Sequence, residues 1–277
     1  MSRGAFGQGW QTINYVWRHP ANRRRRVRAA ARVLLWQFWE RVVRRPLKIE
    51  YCGLLLVCHP HENASSAVLY ARLPEYEEMS FVLRFLRRGD TFVDVGANVG
   101  TYTLLAASVE GTRVIAYEPT TSAFSRLREN ITVNNLGPRV TARQAAVGAT
   151  SGEASVTTDL GTMNRITEDG SGERVPLVAL DTDASVGRVT LLKIDVEGAE
   201  VEVLRGAEQL IERDSPALII EANSPGALSD WLTTRGYSFC RYDPVTNELT
   251  ASAIGQGANV ISIRDVAGAS LRLKSDR

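Results

Sequence analysis

Short apolar runs, divided by glycine, proline and polar clusters, recur along most of the chain, and their periods separate strands from helices. Leu47–Tyr51 and Leu54–Cys58 read as two short strands around Gly53. Met79, Val82, Leu83 and Leu86 fall at helical spacing behind Pro74 and predict a helix over Glu75–Arg87. Phe92, Val93 and Val95 then form an apolar run after the Gly89-Asp90 turn, and Gly96-Ala-Asn-Val-Gly100 leads into a helix over Thr101–Val109. From there strand and helix alternate. Strands are expected at Val114–Tyr117, Arg139–Ala145, Val175–Leu180, Thr190–Asp195 and Ala217–Ile220, with helices over Thr121–Asn134 and from Val196–Glu200 towards Asp214. Such alternation specifies a parallel α/β sheet with right-handed crossovers.

Charge changes this picture at one end. The 277 residues carry a net +2, but residues 1–50 hold 12 Lys/Arg against 2 Asp/Glu, a balance of +10, and the remainder holds 21 against 29, or −8. We therefore expect a basic extension over residues 1–46 and a catalytic domain over 47–277. Within Asn22–Arg45, Val27, Ala31, Leu34, Leu35, Phe38, Trp39 and Val42 share one helical face, with Val33 and Trp36 off it and Arg28, Arg32, Arg41, Arg44 and Arg45 at its flanks. Two readings stand: contact with a membrane interface, where rings sink and guanidinium groups meet lipid phosphates, or packing on the domain or a second subunit. The aromatic content argues against a nucleic-acid partner.

Cys52, Cys58 and Cys240 show no CxxC spacing, so neither a disulfide framework nor structural zinc is expected. No apolar stretch has the length of a signal peptide or membrane span, which places the expected site of action in the cytoplasm, with the inner membrane surface as the place of any lipid contact. His59 and His61 read as a surface turn in preference to a metal or base motif. The Ser-, Thr- and Gly-rich stretch 148–175, with a strand at Ala154–Thr157 and then Gly161-Thr-Met-Asn-Arg165, reads as a loop or lid facing a substrate.

The strand, glycine turn and helix at Thr91–Val109 suit a nucleotide-type cofactor, because glycine admits close backbone approach and the helix start offers free N–H groups. Glu118, 22 residues beyond Gly96, stands where a doubly wound fold places an acceptor for ribose hydroxyls. An NAD-dependent oxidoreductase is the alternative, but the turn lacks G-x-G-x-x-G and carries Asp94, which would repel a pyrophosphate. A carboxylate there suits the ammonium of S-adenosylmethionine, directly or through water. Asp94, Glu118, Asp195 and Glu221 all close strands, the end of an open sheet where ligands bind.

Phe92-Val-Asp-Val-Gly-Ala-Asn-Val-Gly-Thr-Tyr102, Tyr117-Glu-Pro119, Asn134-Asn135, Ala145-Ala-Val147 and Leu192-Lys-Ile-Asp-Val-Glu-Gly-Ala-Glu200 together resemble the FkbM family of S-adenosylmethionine-dependent methyltransferases. The resemblance covers about residues 75–225. It implies a class I methyltransferase (Rossmann-like) fold, a seven-stranded, mostly parallel sheet with helices on both faces and an antiparallel last strand. Tyr237–Tyr242 and Asn259–Ile263 would supply its last two strands, with a helix at Asp230–Arg235. It also implies O-methylation of a sugar, glycolipid or glycosylated natural product, whose hydroxyl is the partner sought. Asp94, Gly96, Ala97, Asn98, Gly100, Glu118, Pro119, Ala146, Val147 and Asp195 are the cofactor-binding candidates. Asp195, Lys193 and Glu197 are the catalytic ones. Asp195 would act as base or, with Glu221, as a ligand to Mg²⁺; Glu197 and Glu200 could instead be dipole-favoured acids of a first helical turn. A membrane-associated binding protein on the same scaffold is the non-enzymatic alternative.

Overall fold

A computed structural model of the chain describes residues 12–157, 166–167 and 171–275. Gly161-Thr-Met-Asn-Arg165 lies outside them. Residues 12–18 are helical and precede α1 (Arg26–Val42), the hairpin β1 (Leu47–Tyr51) and β2 (Leu54–Cys58), α2 (Asn63–Ala71) and α3 (Tyr76–Phe85). The core then alternates through β3 (Thr91–Val95), α4 (Thr101–Ser108), β4 (Arg113–Tyr117), α5 (Thr121–Val133) and β5 (Val140–Arg143). Short strands follow at β6 (Ala146–Val147), β7 (Gly152–Val156), β8 (Ile166–Thr167) and β9 (Glu173–Val178). β10 (Leu191–Ile194), α6 (Glu200–Arg205), α7 (Glu208–Asp214), β11 (Ala217–Glu221) and α8 (Pro225–Thr233) resume the alternation. β12 (Ser238–Asp243), β13 (Glu248–Ala251), β14 (Asn259–Ile263) and α9 (Val266–Lys274) close it.

The main sheet runs β13-β12-β14-β11-β10-β3-β4-β5. β5, β4, β3, β10 and β11 are mutually parallel, and β14 inserts antiparallel between β11 and β12. This is the class I methyltransferase arrangement, with β13 added as an eighth, hairpin-linked edge strand. Both faces are covered, so each central strand is apolar in both directions. Phe92, Leu191 and Ile219 belong to one core, and Val93, Val95, Leu192, Ile194, Leu218 and Ile220 to the other.

Several expectations need correction. The third strand stops at Arg143, and Ala146-Val147 pairs with Leu177-Val178 in a separate four-stranded sheet, β6-β9-β7-β8. Within the stretch read as loop, the expected strand is β7, and β8 and the start of β9 add to it, with a small apolar cluster of Ala146, Val156 and Val175 behind them. The helix expected to run to Asp214 breaks at Gly206-Ala207, and the Asp181 carboxylate accepts the Gln209 and Leu210 N–H groups at 2.9 and 2.8 Å to start the second piece. α2 has no clear apolar period; Glu62 begins it by accepting from Ala64 and Ser65 N–H groups.

α1 packs by the face opposite to the one its broad apolar stripe suggests. Ala29, Val33 and Trp36 point inward, and Val27, Leu34, Leu35, Phe38 and Val42 are exposed. Trp36 joins the main core, and its indole N–H donates to Ser66 Oγ at 2.9 Å on α2. Trp36→Ala should therefore lower unfolding free energy by about 3–5 kcal/mol, read by urea denaturation. A change below about 1 kcal/mol would mean that α1 is not part of the cooperative unit. Among the described residues no helix is long and apolar enough to cross a membrane.

Candidate functional site

Alternation along the strands sets the site. Asp94 shares a face with Phe92, and Lys193 with Leu191; Asp94 and Lys193 are register partners across β3 and β10. Asp195 continues the pairing, its N–H donating to the Val95 carbonyl at 3.0 Å. Three polar side chains thus emerge together at the carboxyl ends of two central strands, below a cavity of about 340 Å³, within the range of small-ligand sites.

The glycine turn forms one wall. Gly96 and Ala97 N–H groups both donate to the Tyr117 carbonyl, at 3.0 and 2.9 Å, bending the chain out of β3. Gly96 has φ +80°, and a Cβ there would lie 1.9 Å from the Asp195 carbonyl oxygen, so the two strand ends approach as only glycine allows. Glu118 closes β4 and is buried. Its Oε2 accepts the Asn98 N–H at 2.8 Å, and its Oε1 accepts the Thr120 N–H and hydroxyl at 2.9 and 2.6 Å. Burial raises its pKa despite these donors. Three of its roughly four acceptor sites are thus taken, and Oε2 keeps one.

Lys193 is the hub of the floor. Its Nζ donates to Asp195 Oδ2 at 2.6 Å and lies 4.7 Å from the centre of the Tyr102 ring. Burial alone would push this ammonium's pKa down, but Asp195, Asp94 and Glu75 outweigh it and hold the pKa above the ordinary lysine range. The same pair lowers the Asp195 pKa against its burial. Burial and the neighbouring Asp195 charge raise the Glu221 pKa to about 7. Asp94 is wholly buried, which raises its pKa; Thr103 donates to its Oδ2 at 2.6 Å, and its Oδ1 has no partner.

The cavity brings together Asp94, Gly96, Ala97, Asn98, Glu118 and Pro119 with Ala146, Val147, Lys193, Asp195, Glu197 and Glu221. Gly100 is not among its lining residues. It starts α4 with φ +93°, and a Cβ would meet Leu127 Cδ1 at 2.6 Å, so its smallness serves helix packing. Glu200 is buried away from the cavity, accepting from Gly198 N–H and Asn223 Nδ2, each at 2.9 Å. Sequence reasoning missed Glu75, which lines the cavity beside Tyr102 and accepts from the Tyr102 hydroxyl and from Asn259 Nδ2. Its signal was slight, an acid after Pro74 at a helix start. His59 pairs with Glu129 at 2.7 Å, and neither lines the cavity.

A Mg²⁺ ion on Asp195 and Glu221 does not fit. The Lys193 ammonium already neutralises Asp195, and Glu221 is drawn towards its protonated form. Among the described residues no three His, Cys, Asp or Glu side chains converge as a metal group. Six carboxylates line the cavity (Glu75, Asp94, Glu118, Asp195, Glu197 and Glu221), and Lys193 is the one basic side chain among its described residues. Such a site favours a cationic ligand and repels a polyphosphate.

Residues 94–239 match the Methyltransferase FkbM domain. The hexuronic acid methyltransferase AglP of Haloferax volcanii is 28% identical, the match covering 50% of this chain and 58% of that protein. Methyltransferase 1 of Beauveria bassiana is 28% identical, covering 43% of this chain and 59% of its own length. The chain spans less than two thirds of either relative. A crystal structure of Methyltransferase FkbM from Methylobacillus flagellatus has 19% identity and a TM-score of 0.48, over 86% of this chain and 60% of that one.

Proposed function

The chain belongs to the FkbM methyltransferase family, and from that membership we propose that it carries a methyl group from S-adenosylmethionine to a hydroxyl of a sugar, glycolipid or glycosylated natural product. The observation that carries this reading is the charge of the cavity: six carboxylates against Lys193. A ligand with an ammonium and a sulfonium and no phosphate answers that imbalance. The unpartnered Asp94 Oδ1 suits an amino-acid ammonium, and the remaining acceptor site of Glu118 Oε2 suits a ribose hydroxyl. Pro119, Ala146 and Val147 supply apolar surface for a base. The name of AglP, a methyltransferase of hexuronic acid, supports a sugar acceptor.

Bound S-adenosylmethionine would supply an electrophilic methyl group. The protein's task is then to align an alcohol oxygen and receive its proton. Asp195, ionised beside Lys193, is the weaker base and accepts the hydroxyl's hydrogen bond, which fixes the oxygen's direction. Glu221, with a pKa of about 7, is better matched to take up the proton, which the two carboxyls would then share. Lys193 stays charged and keeps Asp195 in place.

Calorimetry separates this from the dinucleotide alternative: S-adenosylhomocysteine should bind with micromolar affinity, and NAD⁺ should give no heat. Binding of NAD⁺ without S-adenosylhomocysteine would reject the methyl-donor reading. Labelled-methyl transfer over glycoside and glycolipid fractions then tests the acceptor class, and label arriving solely in amine or carbon acceptors would reject the hydroxyl.

A further inference from the structure

We propose that the outward face of α1 is a docking surface for an anionic phospholipid membrane. The helix has two apolar faces on opposite sides. The narrow one is spent on packing: Trp36 in the main core, and Ala29 and Val33 in a small cluster with Val16, against which Ile13 and Tyr70 pack. The broad one carries Val27, Leu34, Leu35, Phe38 and Val42, which are 73, 57, 68, 59 and 62% exposed. With exposed Ala31 between Val27 and Leu34, they form a stripe at i, i+3 and i+4 spacing along the helix, a patch that a monomeric surface rarely leaves bare.

The charges beside the patch identify its occupant. At helical spacing Arg28 falls next to Leu35 on one flank and Arg41 next to Leu34 on the other. Both arginines are exposed, as are Arg23 to Arg26 before the stripe and Arg44 and Arg45 after it. The only acid in α1, Glu40, lies off this face and accepts the His61 N–H at 3.1 Å. The face is therefore apolar along its middle and cationic around its rim, the pattern that sinks into the acyl boundary while guanidinium groups meet lipid phosphates. A symmetric contact with a second copy would instead bring two arginine rims together, a costly arrangement. The preceding helical residues add Trp17, 43% exposed, with the Arg26 guanidinium 5.8 Å above its ring, whereas the Tyr15 hydroxyl donates to the Pro74 carbonyl on the domain. Such amphipathic rings settle at headgroup depth.

The surface is also close to the site. α1 packs on α2, and Asn63 and Ala64 of the first turn of α2 line the cavity. Docking by α1 would hold the cavity one helix away from the lipid surface.

Sedimentation of the full chain with vesicles tests this. Binding is expected to phosphatidylcholine vesicles containing phosphatidylglycerol, to weaken with added salt, and to be much weaker on phosphatidylcholine alone. Leu35→Glu/Phe38→Glu should weaken it by at least about tenfold, and Arg28→Glu/Arg41→Glu by about tenfold or more. The exposed Val245→Glu, in the β12–β13 turn, should leave it unchanged. All substituted positions are exposed, so the thermal midpoint by circular dichroism should hold in each variant. Absence of binding to anionic vesicles, or undiminished binding by Leu35→Glu/Phe38→Glu, would overturn the proposal. So would light scattering that shows a dimer dissolved by that variant, which would assign the face to self-association.

Discussion

Asp195→Asn should lower kcat by about 10²–10⁴-fold while S-adenosylhomocysteine affinity changes by less than about threefold, since it removes the carboxylate that orients the acceptor hydroxyl and shares its proton with Glu221, and acid–base groups contribute on that scale. The substitution keeps the shape of the side chain and removes the charge that Lys193 Nζ meets at 2.6 Å. Lys193 is not stranded, because Asp94 and Glu75 still face it. The fold should therefore survive, and the loss should lie in kcat. The pH profile gives an independent reading. Glu221 is raised to about 7, so its ionised, proton-accepting form prevails above that pH, and kcat should rise with pH through that region to a plateau. Glu221→Gln should lower the plateau and flatten that limb. Full turnover in Asp195→Asn would remove Asp195 from the chemistry, and an unaltered limb in Glu221→Gln would assign the titration elsewhere.

Gly96→Ala should be the most destabilising single methyl addition in the site, at about 3 kcal/mol or more. Two costs coincide. The residue has φ +80°, which disfavours any Cβ, and the added atom would stand 1.9 Å from the Asp195 carbonyl oxygen. Backbone cannot swing aside as a side-chain tip can, so β3 and β10 must part at the place where Asp94, Lys193 and Asp195 meet. Cofactor affinity should fall with stability. Gly53→Ala isolates the conformational cost: φ is +83° with nothing within 4 Å of the new atom, and about 1 kcal/mol is expected. Equal losses in urea denaturation would show that the close approach to Asp195 costs nothing.

The central sheet was legible because parallel strands buried on both faces are uninterrupted apolar runs, and the glycines and acids that end them stand out against those runs. The polar contacts were legible only in part. Lys193 and Asp195 lie two apart on one strand, so their meeting followed from alternation. Glu75 and Tyr102 meet across 27 residues only because α3 and α4 cover the same face of the sheet, a relation no local spacing carries. Gly100 shows a packing task inside the same motif. It stands in a cofactor-like motif, yet its lack of a side chain accommodates Leu127. Asn134, too, has a structural task, gripping the edge of β2 through the Leu55 N–H and carbonyl, each at 2.7 Å. α1 shows the limit of periodicity itself. A helix with two apolar faces offers both at the same period, and only the shape of the domain decided that the narrower, with Trp36, would be covered.

The pairing of β3 with β10 bears on how the chain is made. Thr190 donates to Asp90, 100 residues earlier, beside a parallel ladder that begins with Leu191 opposite Phe92. Contacts so distant in sequence form late, because a long loop must close before they are rewarded. During synthesis β3 can gain β4 and β5 on one side while its other edge waits, unpaired and apolar, for a strand not yet translated. A nascent chain halted before Leu191 would hold three of the sheet's eight strands with an adhesive margin and none of the Lys193–Asp195 floor.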